Sequence, residues 1–175
     1  MNPTVGKALL QLKNSERLEM WEAAKSLVKA ADRGVVPELL ELLASSVEAE
    51  RRAAAAWTLG FLRATEAVQP LIQVLSNKSE PAALREHAAE ALGYLSDARA
   101  RRALTSSLFD ENADVVFSSA FALRTVGEPG DVPMLTKLAQ TSSLVNSAGE
   151  GVSQEALEAI EQIRARAIRD KDDDA

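Results

Sequence analysis

Residues Glu50 to Leu75 read ERRAAAAWTLGFLRATEAVQPLIQVL, and this stretch decides the fold. It holds two apolar stripes separated by a short break. The first is centred on Leu59 and the second runs through Val68, Leu71, Ile72 and Leu75. The second opens with Pro70, which costs no helical hydrogen bond in a first turn and helps to start the helix. The same text recurs along the chain. WEAAKSLVKA from Trp21, AAAAWTLGFL from Ala53, EHAAEALGYL from Glu86 and FSSAFALRTV from Phe117 align with Leu27, Leu59, Leu92 and Leu123 in register. A second leucine series, Leu39, Leu71, Leu104 and Leu135, follows twelve residues behind in VVPELLELL, VQPLIQVL, ARRALTSSL and DVPMLTKLA. A repeat of about 32 residues with two halves is the signature of a stacked array.

Each half reads as a helix. Around the anchor leucine the small and apolar positions of one copy are Leu84, Ala88, Ala89, Leu92 and Leu95, which at about 100° per residue lie on one face. Pro37, Pro70 and Pro133 sit at the start of three second halves. A lone hairpin of this size cannot bury both stripes, so the units stack into one core. The expected fold is an all-α, right-handed solenoid of four helical hairpins, at residues 16–46, 47–79, 80–111 and 112–141, within a single domain over 1–169. Thr4 to Lys13 matches only a second half, and Val152 to Arg169 only a first half, with Ala156, Leu157, Ile160 and Ile163 at the core offsets. These read as half-repeat caps at 3–13 and 152–169. The surplus between Gln140 and Gly151 reads as a longer polar loop, and the charged stretch 170–175 as a disordered acidic tail.

Composition narrows the function. The 175 residues are 46% hydrophobic and 26% charged, with no cysteine and no apolar run long enough for a membrane span. The start, MNPTVGKALLQLKN, lacks the apolar core and small-residue cleavage site of a signal peptide. The expected location is the cytoplasm, where the absence of cysteine costs nothing. Net charge is −6, of which Asp170 to Asp174 supplies −3. The near-balanced remainder carries no electrostatic footprint for nucleic acid. One histidine and no cysteine leave little for acid–base, thiol or metal chemistry, so neither cofactor nor metal is expected.

The copies ERRAAAAWTLGFL with AVQPLIQVL, and ALREHAAEALGYL, resemble the HEAT-like repeats of the phycobilisome lyase type. Those repeats read roughly V-R-x-x-A-A-x-A-L-G and then V-x-P-L-I. The resemblance covers Glu19 to Gln140 and implies the solenoid, while such repeats serve many roles. Glu86-His87 is also similar to the His-Glu pairs of deoxyhypusine hydroxylase, but in reversed order. The matching positions elsewhere are Trp21-Glu22, Ala53-Ala54 and Phe117-Ser118, which cannot converge as ligands. His87 therefore reads as a surface histidine on a charged helix face. Ser142, Ser143 and Ser147 have no companion histidine. Arg51, Arg52, Arg63, Arg99, Arg101 and Arg102 have acidic neighbours at Glu48, Glu50, Glu66 and Asp97 and read as a solvated face.

The informative signal is aromatic placement. Six of seven aromatics occupy three offsets of the first helix: Trp21 and Phe117, Trp57 and Phe121, Phe61 and Tyr94. Those offsets point about 120° to 200° away from the anchor leucine, so the rings form a stripe opposite the hairpin core. Glu86, His87 and Glu90 share that side. Aromatic anchors flanked by carboxylates suit a peptide or helix carrying apolar and basic residues. The sequence thus points to a non-enzymatic, protein-binding adaptor or scaffold. The alternatives are a lyase-like or non-catalytic subunit of an enzyme complex and a homodimer formed through the same stripe.

Overall fold

The computed structural model describes residues 3–173, and these are almost entirely helical: α1 (Pro3–Asn14), α2 (Arg17–Ala30), α3 (Val36–Ser45), α4 (Ala49–Phe61), α5 (Val68–Ser76), α6 (Ala82–Leu95), α7 (Arg101–Ser107), α8 (Ala113–Val126), α9 (Val132–Thr141) and α10 (Val152–Asp173). Short 3-10 turns at Arg33–Val35, Thr65–Ala67, Ala98–Ala100 and Pro129–Asp131 lead into α3, α5, α7 and α9. The chain is an all-α solenoid in two layers. The even-numbered helices carry the alanine-rich first-half text and lie side by side, and the odd-numbered helices form the layer behind them.

Both leucine series lie at the centre. Leu27, Leu59, Leu92 and Leu123 of the first layer, and Leu39, Leu71, Leu104 and Leu135 of the second, are all fully buried in one continuous core. Across layers, α1 packs most closely on α2, α3 on α4, α5 on α6, α7 on α8 and α9 on α10. The 32-residue sequence unit joins α2 to α3, whereas the tightest cross-layer packing joins α3 to α4. Each terminal half-unit therefore has a partner of its own.

The two layers are not equally dense. Neighbours in the first layer, above all α4, α6 and α8, approach far more closely than α3, α5 and α7 do. The leucine–glycine step of the repeat permits this. A Cβ on Gly60 would sit 2.6 Å from the Ala91 Cα, and one on Gly93 would sit 3.0 Å from the Ala122 Cα, so backbone meets backbone where any side chain would wedge the helices apart. Closer spacing in the first layer puts that layer on the inside of the curve.

Arginines tie the helices together, both within a repeat and from one repeat to the next. Arg52 in α4 makes a two-pronged pair with Glu80 at 2.7 Å and donates to the Leu43 carbonyl. Arg85, one repeat later at the matching position of α6, donates to the Glu80 carbonyl and to Asp110. Arg101 reaches Asp131, and Arg124 reaches Glu155 and Glu158. Arg99 with Asp97 is the local pair expected of a solvated face, whereas Arg51, although it pairs with Glu48, is only 13% exposed and donates to the Leu12 carbonyl of α1. Arg51, Arg52 and Arg101 thus depart from that expectation: Arg51 is drawn onto the N-terminal cap, and Arg52 and Arg101 find partners in the following repeat that leave them only partly exposed.

Two expectations for the C-terminus are corrected. Leu157 stands 52% exposed, while Ala156, Ile160 and Ile163 are buried. In inner helices, which have a further helix of the layer beside them, the equivalents of Leu157 (Ala56 and Ala89) are buried, and among the described residues no helix follows α10. Helix α10 also continues through Asp170 to Asp173 instead of ending at Arg169, since Asp-Lys-Asp-Asp contains no glycine or proline to stop it. Asp174 and Ala175 lie outside the described residues.

Candidate partner-binding surface

The aromatic residues of the first layer meet. Trp21 of α2 stands edge-on to Trp57 of α4 with ring centroids 6.0 Å apart, and Trp57 lies 4.4 Å from Phe61. Phe61 contacts Tyr94 of α6 at 4.2 Å, and Tyr94 contacts Phe121 of α8 at 5.8 Å. Phe117, the sixth ring, lies one turn before Phe121 and faces the same cleft as Tyr94 and Phe121. All six are half-buried. The rings pave the surface by covering one another's edges, and Trp21 and Trp57 also rest on the core. The seventh aromatic, Phe109, is exposed in the α7–α8 turn.

His87 departs from the expected surface histidine. Its side chain is only 22% exposed, its ring lies 5.1 Å from Trp21, and Nδ1 is 3.3 Å from Glu90. Trp21 and His87 belong to α2 and α6, which have α4 between them. Their rings meet over Ala53, whose small side chain leaves room for the contact. The same small cleft is edged by Glu50, which accepts from the Trp21 indole and pairs with Arg17.

A second cleft, about 270 Å³ in volume, lies between α6, α8 and residues 142–151. Its rings are Tyr94, Phe117 and Phe121, and its carboxylates are Glu86, Glu90, Asp114 and Glu150. The far wall is the segment expected to be a plain loop. It is a small hairpin closed by an antiparallel bridge between Val145 and Gly151. The Asn146 side chain accepts from the Ala148 and Glu150 amides, and Gly149 takes φ +84°. The Ser147 amide donates to Asp114 Oδ1 at 2.6 Å and pins the hairpin to the start of α8. Asn112 caps that helix by accepting from the Asp114 and Val115 amides.

Electrostatics follow from this enclosure. Burial pushes the Glu86 carboxyl above its ordinary range, with His87 opposing and Asp114 and Glu90 adding to the effect. Burial, followed by the adjacent Glu90, pushes the Tyr94 phenol up to about 12. The Tyr94 hydroxyl donates to Glu90 Oε1. Among the described residues no group of three or more His, Asp or Glu side chains is placed to hold a metal ion, and no helix is long and apolar enough to cross a membrane.

All nine residues singled out from the sequence (Trp21, Trp57, Phe61, Glu86, His87, Glu90, Tyr94, Phe117 and Phe121) lie on this one surface. Sequence reasoning missed Asp114 and the wall at Asn146, Ser147 and Glu150. The only signal for them was the longer spacing before the last unit, which shows extra chain without showing where it folds.

No curated protein matches the chain by sequence. Among solved structures, one chain of the CpcE–CpcF complex of phycocyanin lyase from Nostoc sp. PCC7120 superposes with a TM-score of 0.72 at 16% identity, covering 89% of this chain and 97% of that one. An engineered protein superposes with a TM-score of 0.63 at 22% identity, covering 92% and 79%. These likenesses are of fold. The family model for HEAT repeats matches residues 6–82 and 68–150, and the chain belongs to the HEAT-repeat family.

Proposed function

We propose that this chain is a non-enzymatic adaptor or scaffold of the cytoplasm that captures a peptide or helix of a partner protein on its aromatic inner surface. The observation that carries the reading is the unbroken line of ring contacts from Trp21 to Phe121 across four helices. Half-exposed rings in a concave array are costly to leave in water and are enriched at binding hot spots. Carboxylates on the same surface suit a partner with apolar and basic residues.

The test is Trp57→Ala combined with Phe121→Ala. Hot-spot rings contribute ~2 kcal/mol or more each to binding, so the pair should abolish capture of a native partner in affinity purification. Because both rings keep part of their surface in water, the cost in folding stability should fall below the ~3–5 kcal/mol of a fully buried aromatic. A double variant that still captures its partner, or one that unfolds, would overturn the reading.

A second reading is favoured by one comparison, since the Nostoc neighbour is a chain of a two-subunit lyase complex. On that reading the chain is a non-catalytic or lyase-like subunit whose stripe covers another subunit or a second copy of itself. Sedimentation of the pure protein separates the cases: a stable homodimer lost in the double variant supports self-association, and a monomer supports a different partner.

A further inference from the structure

We infer that the cleft between α6, α8 and the 142–151 hairpin receives a single arginine side chain from the partner. The inference rests on the adaptor reading above and names what that surface grips. Four carboxylates line the cleft, and no lysine or arginine does. Much of their hydrogen-bonding capacity is already used: Glu90 by Tyr94 and His87, Asp114 by the Ser147 amide, Glu150 by Asn146. Glu86 is the exception. It is half-buried between Glu90 and Asp114 and accepts no hydrogen bond within the described residues. A carboxylate drawn out of water beside two others is unfavourable until a cation joins it.

The rings select the kind of cation. Tyr94, Phe117 and Phe121 line the cleft beside the carboxylates. A guanidinium is planar, weakly hydrated and rich in donors, so it stacks on a ring while bonding to carboxylates at its edge. An ammonium carries a stronger hydration shell and does this less well. The protein already makes this arrangement at the next position: the Arg124 guanidinium lies 5.4 Å from the Phe121 ring centroid and binds Glu155 and Glu158. Arg124 is thereby committed to the α10 side of the ring, and its charge does not serve the cleft.

The hairpin gives the site its bounds. Without it the stripe would be an open strip on which a long side chain could lie in many ways. With Ser147 fixed to Asp114, the cleft becomes a slot closed at the α8 end.

The experiment titrates the full chain, labelled for NMR, with N-acetylarginine amide. N-acetylcitrulline amide, of nearly the same shape but neutral, and N-acetyllysine amide, whose free ammonium matches the charge, serve as comparators. The expected result is saturable movement of the Tyr94, Phe117 and Phe121 ring signals and of the Ser147 amide with the arginine probe. The lysine probe should bind more weakly and citrulline should leave those signals in place. Glu86→Gln should weaken the arginine probe by about tenfold, as when a charge-assisted hydrogen bond becomes neutral, with the rest of the spectrum unchanged. Equal binding of citrulline, preference for lysine, or no saturable movement at these four residues would overturn the assignment. If the arginine probe fails while Trp57→Ala with Phe121→Ala still abolishes partner capture, the adaptor reading survives and the arginine slot does not.

Discussion

Asp110 sits where three segments meet, and neutralising it tests how the repeats are locked together. Its side chain is 1% exposed and pairs with Arg85, itself 9% exposed, at 2.8 Å and with Lys78 at 2.5 Å. It also accepts from the Asn112 amide, so it organises the turn into α8. Burial alone would push this carboxyl up. Hydrogen bonds from Lys78, Asn112 and Arg85, with the charge of Arg85, outweigh burial and hold it down at about 2. A carboxyl depressed on folding contributes stability that is complete above its unfolded value near pH 4 and is lost as the pH falls through about 2. A shift of this size corresponds to about 2 kcal/mol. Asp110→Asn removes that contribution at neutral pH and leaves the Arg85 charge buried without its partner. The expected cost is therefore ~3 kcal/mol, at the lower end for breaking a buried pair because the amide keeps an acceptor. Urea unfolding of both proteins at neutral pH, about pH 4 and about pH 2 measures this. The difference should be nearly constant down to pH 4 and shrink to ~1 kcal/mol at pH 2. An unchanged midpoint at neutral pH, or a difference independent of pH, would show that Asp110 is not the lock described.

Two further outcomes follow from the inner layer. Gly60→Ala should destabilise by ~1–3 kcal/mol through overpacking, despite alanine's better helix propensity. Gly93→Ala should cost less, because its added methyl meets Ala122 at a longer distance than Gly60's meets Ala91; thermal unfolding that reverses this order would refute the close approach. Tyr94 is the only tyrosine, so alkaline absorbance titration reports it directly. The phenolate should form with a midpoint of about 12 in the folded protein and near 10 in denaturant, with Glu90→Gln lowering the folded value.

What could be read from the sequence was whatever repeats. Leu59 and Leu92 declared themselves because the same offsets recur in several copies, and all eight leucines of the two series are buried. The ring stripe was legible for the same reason: three offsets place six aromatics on one side of parallel helices, whatever the helix crossing angles. Contacts that cross from one repeat to the next were not legible. Arg52 reaches Glu80 and Arg101 reaches Asp131 over different sequence separations, and acidic residues nearer in the chain made local pairing look sufficient. Leu157 satisfies the apolar pattern of its helix, yet the pattern does not reveal that no described helix packs over it. His87 was misjudged because Trp21, which covers it, lies two helices away.

The backbone contacts at Gly60 with Ala91 and Gly93 with Ala122 also have a mechanical consequence. Helices already touching at the main chain cannot be squeezed closer, so the inner layer behaves as the incompressible side of a bent strip. When the arch closes further, length changes fall on the outer layer, where α3, α5 and α7 are more widely spaced. The distances between successive rings then stay nearly fixed while the overall curvature varies. A surface of this kind keeps its ruler as its frame breathes, and can meet partners of different curvature with one spacing of anchors.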